Sequence, residues 1–267
     1  MTNVHAGDPL PPDLAGALRS MRGRVPSLVD HLLFLRTVGS TNDVALAAAA
    51  ESGQPTVVIA DAQTGGRGRR GRKWFSPAGS GLYVSIVLDL SEAAELERAR
   101  GLTPLAAGVA LAEAISASCG IDVLLKWPND LMTGGRKLGG ILAEAATPTR
   151  IVVGYGLNVR ASAFPSELQD RATAIDIASG LPADRARLCV ESLAAIWRRY
   201  RDLLAGRFDA ILDAWRALAP HHVGAPVSWS TSQGPQRGVT AGVDEWGALI
   251  VRVGDRTERL MGEVSWL

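Results

Sequence analysis

One stretch of ten residues combines the residue types that bind small anions. Residues 65–74 read GGRGRRGRKW and hold four glycines, five cationic side chains and a final tryptophan. A glycine backbone can approach a ligand closely, and arginine forks match phosphate and carboxylate oxygens. An indole ring offers a flat face to a base. The stretch predicts a loop that wraps a small anion carrying a base, although a solvated basic loop or a nucleic-acid patch has a similar composition.

The rest of the composition shows that this charge is local. The chain has 267 residues, of which 47% are hydrophobic and 21% charged, and its formal net charge is +1. Such a balance argues against a general nucleic-acid binder, which is normally basic across a whole face. The two cysteines, Cys119 and Cys189, argue against a disulfide framework, and the four histidines show no zinc spacing.

The termini and apolar runs carry no targeting or membrane pattern. No uninterrupted apolar run reaches about 18 residues, the length needed to span a bilayer. The N-terminus has no basic segment followed by an apolar one, as a signal peptide would. We therefore expect a cytoplasmic protein without a membrane partner.

Hydrophobic periodicity predicts the elements that position the loop. Strands are expected at residues 31–38, 56–60, 82–90, 123–126, 137–146 and 151–159, and helices at residues 43–51, 102–118, 184–204 and 208–218. Pro104 is expected in the first turn of its helix. The predicted irregular parts are residues 1–30 (apart from a short helix near 14–21), the turn region 127–136, and residues 160–181. Residues 223–267 alternate in short runs, which is typical of a small antiparallel barrel, so we place a domain boundary near 220.

Further polar residues follow the predicted strands at their ends. Ser40, Thr41 and Asn42 stand at a strand-to-helix junction, where they could also be a plain helix cap. Residues 126–130 read KWPND, which could be simple turn chemistry, although Asp130 could also hold Mg²⁺ beside phosphates. Lys137 begins an otherwise apolar strand that contains two glycines, which leave room for a close approach.

Together these segments resemble the biotin–protein ligases. The resemblance rests on Ser40-Thr41-Asn42, on QTGGRGRRGRKW from Gln63, on KWPNDL, KLGGIL and GYGLN, and on the C-terminal barrel segment. It implies an α+β fold with a mixed sheet flanked by helices, like that of class II aminoacyl-tRNA synthetases, and an SH3-like barrel. The catalytic domain would span residues 1–220 and the barrel residues 221–267. The sequence shows no winged helix before residue 31, so it resembles the short, non-repressor class, which implies no DNA partner.

The resemblance also implies a two-step reaction. The carboxylate of biotin attacks the α-phosphate of Mg·ATP, which gives biotinyl-5′-AMP and pyrophosphate. A lysine of a biotin carboxyl carrier domain of a carboxylase then attacks the mixed anhydride, which gives an amide and AMP. Mg²⁺ is the implied cofactor, biotin and ATP are the substrates, and the enzyme is expected to be a monomer or a weak homodimer.

The implied site residues divide by ligand. Biotin is assigned to Ser40, Thr41, Asn42, Gln63, Gly66, Arg67, Lys137 and Gly140. ATP and the adenylate are assigned to Arg69, Arg72, Trp74, Asn129, Asp130, Lys137 and Asn158. Lys137, Arg67 and Arg69 are the predicted catalytic residues, since two anions must be brought together, and Asp130 is the predicted metal ligand. Trp74 is expected to pack against adenine.

Two other functions compete with this one. A lipoate–protein ligase shares the implied fold, but lipoate has no ureido group and does not call for the same polar pocket. A nucleic-acid or regulatory module could use the basic loop, but the near-neutral charge counts against it. An inactive paralogue is disfavoured because Lys137 and Arg67 are both present.

The composition of the loop predicts that ligand orders it. Its glycines make ordering entropically costly and its like charges repel, so we expect closure over biotinyl-AMP, which also keeps water from the anhydride. Biotin with Mg·ATP should therefore slow trypsin cleavage within residues 65–73, measured by mass spectrometry, with casein digestion as the protease control. Equal cleavage with and without ligands would contradict the prediction.

Overall fold

The computed structural model describes residues 7–21, 31–51, 56–161, 164–232, 234–262 and 264–267. The helices in these ranges are α1 (Pro12–Met21), α2 (Thr41–Glu51), α3 (Leu96–Cys119), α4 (Ile175–Ser179), α5 (Arg185–Leu204) and α6 (Phe208–Leu218). The strands are β1 (Leu32–Val38), β2 (Val57–Gln63), β3 (Gly81–Asp89), β4 (Leu124–Lys126), β5 (Asp130–Thr133), β6 (Arg136–Ala145), β7 (Arg150–Asn158), β8 (Val223–Thr231), β9 (Gly234–Val243), β10 (Leu249–Val253), β11 (Arg256–Leu260) and β12 (Ser265–Trp266).

Seven of these strands form one mixed sheet in the order β1-β2-β3-β7-β6-β5-β4. Strands β1 and β2 are parallel, and the other described neighbours are antiparallel. The mixed sheet with flanking helices confirms the α+β class expected from the sequence. The predicted turn region 127–136 was wrong in part, because it contains β5, which pairs with β4 on one side and β6 on the other.

The two faces of this sheet carry different helices. One face packs on α3, α5 and α6 in a large core that includes Val84, Leu111 and Leu193. The other face carries α2, whose buried Ala45 and Ala49 pack in a small cluster on β1, β2, β3 and β7. Among the described residues α2 is the helix packed on this face, and the cavity described below lies beside it, over β6 and β7.

Helix α3 is longer than the sequence predicted. It begins at Leu96, so Pro104 lies in its interior and not in the first turn. Ala99 and Leu102 are fully buried, so packing holds this stretch helical despite the backbone hydrogen bond that proline removes. By length and composition α3 could also cross a membrane, but 67% of its most apolar window is buried inside the protein, as in an ordinary core helix.

The C-terminal residues form a second, antiparallel sheet in the order β11-β10-β9-β8-β12. This confirms the predicted small C-terminal β-structure. Its strands begin at Val223, close to the predicted boundary at 220. Val227, Leu249 and Val251 nevertheless belong to the same continuous hydrophobic cluster as the helices of the first sheet, so the two sheets share a core.

The KWPND segment connects the two sheets. The buried Trp127 donates its indole N–H to the carbonyl of Gly247, in the turn before β10, at 3.0 Å. Next to it, Lys126 Nζ lies 5.5 Å from the centre of the Trp266 ring, on β12. Trp127 is thus a structural residue, and its position fixes the turn that carries Asn129 and Asp130.

Replacing Trp127 with Phe tests this connection. The substitution keeps a buried aromatic ring but leaves the Gly247 carbonyl without its donor, which should lower the free energy of unfolding by about 1–3 kcal/mol. Urea denaturation would measure the loss. Trp246→Phe is the matched control, since its indole N–H bonds the exposed carboxylate of Glu245, and it should change stability by less than about 0.5 kcal/mol. Equal losses for both variants would contradict the assignment.

Candidate functional site

A cavity of about 810 Å³ lies over the open face of the mixed sheet. Its walls come from residues 65–74, called here the glycine–arginine loop, and from the start of α2, the KWPND turn, strands β6 and β7, and the end of the C-terminal sheet. Every predicted site residue except Gly66 lines it: Ser40, Thr41, Asn42, Gln63, Arg67, Arg69, Arg72, Trp74, Asn129, Asp130, Lys137, Gly140 and Asn158. Gly66 has a packing role instead, because a Cβ there would lie 2.6 Å from Ser76 Oγ and from the Trp74 carbonyl.

The start of α2 is joined to the end of β2 through Gln63. Gln63 Oε1 accepts hydrogen bonds from the backbone N–H of Thr41 at 2.9 Å and from its hydroxyl at 3.2 Å. Gln63 Nε2 lies 3.0 Å from Ser76 Oγ, beyond the loop. The first N–H groups of a helix have no partner within the helix, so here a side chain of the sheet satisfies one of them. A polar corner is thereby held rigid at one end of the cavity.

Ser85 completes this corner, although sequence reasoning missed it. Its Oγ lies 2.6 Å from Asn42 Oδ1 and 2.8 Å from Thr41 Oγ1, fully buried in β3. Only its hydroxyl within the apolar run LYVSIVLDL could have signalled this. On the neighbouring β7, a Cβ at Gly154 would lie 1.9 Å from Asn42 Oδ1, so Asn42 reaches the sheet only because position 154 has no side chain.

The glycine–arginine loop forms a small hairpin at the cavity mouth. Trp74 N–H donates to the Gly66 carbonyl at 2.8 Å, and Gly68 N–H donates to the Arg72 carbonyl at 2.6 Å. A short 3₁₀ turn, Arg69–Gly71, forms the tip, where Arg70 has a left-handed backbone with φ 55°. Arg69 and Arg72 line the cavity. The ordering of this loop by ligand stays a prediction.

Trp74 lies directly on the backbone of β6 and β7. A Cβ at Gly156 would meet its indole nitrogen at 2.2 Å, and a Cβ at Gly140 would lie 3.5 Å from its ring edge. Among the described residues the buried indole N–H has no hydrogen-bond partner. The two glycines therefore create the space for the ring, and the predicted contact with adenine stays a prediction.

Lys137 and Asp130 form an ion pair within the cavity. Lys137 Nζ lies 2.6 Å from Asp130 Oδ1 and 5.5 Å from the centre of the Trp74 ring. The pairing of β5 with β6 shifts between Leu131 and Met132, so β6 contains one extra residue there. Such a bulge breaks the strict alternation of side chains, and it turns Lys137 to the same face as Gly140. The sequence contains no signal for this shift.

Residues 164–174 form a wall that the sequence predicted only as irregular. Arg171 and Thr173 pair with both backbone groups of Lys137, at 2.8 and 3.0 Å. Asn158 Nδ2 donates to the Thr173 carbonyl at 3.0 Å. The segment thus fixes the backbone of the lysine, and its Phe164, Leu168, Asp170, Arg171 and Ala172 line the cavity.

Lys126 is a further cavity residue that the predicted site omitted, although it belongs to the KWPND motif. Burial of its ammonium group lowers its pKa, with Lys137 and Arg171 acting in the same direction and Asp130 opposing them. Several cations therefore face one end of the cavity. That end is suited to a polyanionic ligand such as a nucleotide phosphate chain.

The donor set at Asp130 fits Mg²⁺ in one way. Among the described residues no group of three His, Cys, Asp or Glu side chains could hold a metal ion on its own. Asp130 is one carboxylate beside the Asn129 amide and several cations. Mg²⁺ is commonly bound by one or two carboxylates with substrate phosphates and water supplying the other oxygens, and this site could hold it in that manner.

The comparisons with known proteins agree with this architecture. Residues 34–158 match the model of the Biotin/lipoate A/B protein ligase family. The bifunctional ligase/repressor BirA of Bacillus subtilis is 34% identical over 86% of this chain and 72% of its own. The biotin–[acetyl-CoA-carboxylase] ligase of Mycobacterium tuberculosis is also 34% identical, over 82% of each chain.

Solved structures provide a second comparison, which covers most of this chain. The biotin protein ligase from Aquifex aeolicus in complex with biotin and ATP superimposes with a TM-score of 0.75 and 30% identity, over 89% of this chain and 98% of that one. That from Leishmania major in complex with biotinyl-5-AMP has a TM-score of 0.61 and 25% identity, over 87% and 99%. Fold and site thus define a ligase of the biotin and lipoate class. Within that class, the chain belongs to the biotin–protein ligase family, and the comparisons favour this function over the lipoate alternative.

A methyl group at Gly154 should disrupt the polar corner. Gly154→Ala places its Cβ within 1.9 Å of Asn42 Oδ1, so Asn42 must leave Ser85 and biotin binding should weaken at least about tenfold, a loss of roughly 1.4 kcal/mol. Calorimetric titration with biotin would measure it. Gly16→Ala on α1 is the control, since its nearest neighbour would be 3.9 Å away. Unchanged affinity in Gly154→Ala would contradict the assignment.

Proposed function

We propose that this ligase activates biotin with ATP as biotinyl-5′-AMP and transfers the biotinyl group to a lysine of biotin carboxyl carrier domains. The observation that carries the proposal is the arrangement of one cavity. A rigid polar corner formed by Thr41 and Gln63, and supported by the buried Ser85, lies at one end, and Lys137 stands among cations at the other. The ligands named for the related structures, biotin, ATP and biotinyl-5-AMP, support the same reaction.

The polar corner matches the neutral end of biotin. A ureido group offers two N–H donors and one carbonyl acceptor, and the corner presents hydroxyls and amides from Ser40, Thr41 and Gln63. Beside this corner, the Trp74 ring covers the glycine backbone of β6 and β7. With the ureido group bound in this corner, the acidic side chain of biotin extends along β6 toward Lys137.

Lys137 would stabilise the first step. The carboxylate oxygen of biotin forms a bond to the α-phosphorus of ATP while the bond to pyrophosphate breaks, so two anions must approach each other. An ammonium group between them offsets the charge that opposes this approach. Asp130 holds Lys137 Nζ at 2.6 Å, which keeps the ammonium group in the cavity. Mg²⁺, when held by Asp130 and the phosphates, would supply further positive charge.

The second step needs no nucleophile from the enzyme. The acceptor amine attacks the carbonyl carbon of the anhydride, AMP leaves, and an amide forms with loss of one proton from the amine. Neither cysteine lines the cavity. Burial raises the pKa of the Cys189 thiol to about 12 and also raises that of Cys119, so both are poor nucleophiles at neutral pH.

The cellular setting is part of the proposal. The acceptors are carrier domains of biotin-dependent carboxylases, the cofactor is Mg²⁺, and the enzyme acts in the cytoplasm as a monomer or weak homodimer without a DNA partner. The relative from Mycobacterium tuberculosis is named for an acetyl-CoA-carboxylase substrate, which supports the choice of acceptor.

Mass spectrometry of a biotin carboxyl carrier domain tests the proposal. The domain is incubated with the enzyme, Mg·ATP and either biotin or lipoate, and a parallel reaction contains EDTA. We expect the mass of one biotinyl group to appear only with biotin and Mg²⁺. A lipoyl adduct, or no adduct with an intact carrier, would overturn the assignment.

Lys137→Ala should abolish most of the adenylation activity. Loss of the ammonium group should cost about 3–4 kcal/mol of transition-state stabilisation, comparable to one lost oxyanion donor. Pyrophosphate release would measure the rate, and the thermal midpoint should change little. Arg136→Ala, which removes the exposed cation one residue earlier on β6, should retain the rate. A wild-type rate in Lys137→Ala would contradict the role.

A further inference from the structure

The first arginine of the loop is held by carboxylates of the protein itself. Arg67 Nη1 lies 2.5 Å from Asp43 Oδ1, in the first turn of α2, and Arg67 Nη2 lies 3.5 Å from Glu144 Oε2 on β6. The hydrogen bond to Asp43 raises the pKa of the guanidinium group, and Glu144 adds to the effect. The family resemblance implied that Arg67 binds biotin and takes part in catalysis. Both roles require its charge to face an anion of the substrate.

Of these two carboxylates, Glu144 is itself held by Asn42, a buried residue of the cavity wall. Asn42 Nδ2 donates to Glu144 Oε2 at 2.6 Å, and Asn42 is buried against Ser85 and Gly154. Glu144 therefore accepts from Asn42 and lies within reach of Arg67. Asp43, the residue after Asn42 on α2, accepts a hydrogen bond from the same guanidinium group. One loop, one helix and one strand meet at Arg67.

The backbone of Arg67 lies at the base of the loop hairpin. It pairs with Lys73 across the hairpin, next to the bond between Trp74 and Gly66. A side chain fixed at Asp43 and Glu144 therefore fixes the hairpin that holds Trp74 and brings Arg69 to the cavity. The charges agree with this role, because two carboxylates around one guanidinium leave a net negative charge that does not attract the carboxylate of biotin.

We infer that Arg67 is a positioning residue, and that Asp43 and Glu144 are the anchors through which it holds the loop over the biotin pocket. Neutralisation of the reacting anions then rests with Lys137 and Arg69. The inference builds on the proposed biotin activation, because it divides the roles of the arginines within that site.

The direction in which one substitution changes the KM for biotin separates the two possible roles of Arg67. If Arg67 positions the loop, Asp43→Asn releases it, and the KM for biotin should rise about threefold to fivefold, as expected for a partly exposed ion pair. The kcat for pyrophosphate release should stay within about twofold, since the anion-binding groups remain. If Arg67 binds an anion of the substrate, removing a competing carboxylate should instead lower the KM or leave it unchanged, and this result would overturn the inference.

A double-mutant cycle provides the second measurement. Arg67→Gln combined with Asp43→Asn should raise the biotin KM no more than Arg67→Gln alone, because both changes break the same contact. Glu144→Gln should act in the same direction as Asp43→Asn with a smaller effect. Fully multiplicative effects of Arg67→Gln and Asp43→Asn would overturn the inference. Asp213→Asn, which breaks the exposed pair with Arg216 on α6, is the charge-matched control.

Limited proteolysis gives a readout that is independent of turnover. Without ligands, trypsin should cut at residues 69–73 faster in Asp43→Asn than in the wild type and in Asp213→Asn. Equal cutting in all three would overturn the inference.

Arg69→Gln should instead lower kcat with little change in the biotin KM. Failure of the wild-type enzyme to biotinylate the carrier would refute the proposed function, while the proteolysis result would still decide whether Asp43 anchors the loop.

Discussion

Three glycines on two neighbouring strands allow side chains from other elements to lie directly on the sheet, and the rest of the site depends on that contact. Gly154 admits Asn42 from α2, while Gly156 and Gly140 admit Trp74 from the loop. Since a Cβ at position 154 or 156 would lie within 2.2 Å of these side chains, no other residue type fits without displacing them. Helix α2 and the loop thus pack on the same face of the sheet, and the cavity is the space left between them.

Charge is distributed unequally around this cavity, and the asymmetry orients a ligand. The corner at Thr41, Gln63 and Ser85 is polar but uncharged, and Asp43 and Glu144 beside it offset Arg67. The opposite end holds Lys126, Lys137 and Arg171, with Asp130 between them. A molecule with a neutral hydrogen-bonding head and an anionic tail is bound favourably in one direction only, and biotin has that form.

Lys137 is positioned by elements that are distant in the sequence. A bulge in β6 turns Lys137 into the cavity, residues 171–173 bind its backbone, and Asp130 binds its ammonium group. The turn that carries Asp130 is in turn held by Trp127, whose indole N–H reaches Gly247 in the C-terminal sheet. The small C-terminal sheet therefore contributes to the geometry of the site as well as to its wall, because the KWPND turn lies between the two sheets.

The sequence by itself determined the order of most elements, the α+β class and thirteen of the residues that line the cavity, because strand and helix periods and the residue types of short motifs are local properties. It did not show the interior position of Pro104, the strand at Asp130–Thr133, or the wall formed by residues 164–174, since packing against distant residues decides each of them. Nor did it show that Ser85 faces Asn42 or that Arg67 is already paired with Asp43. Those contacts follow from the register of β3, β6 and β7 and from the seating of α2, which only the tertiary structure decides.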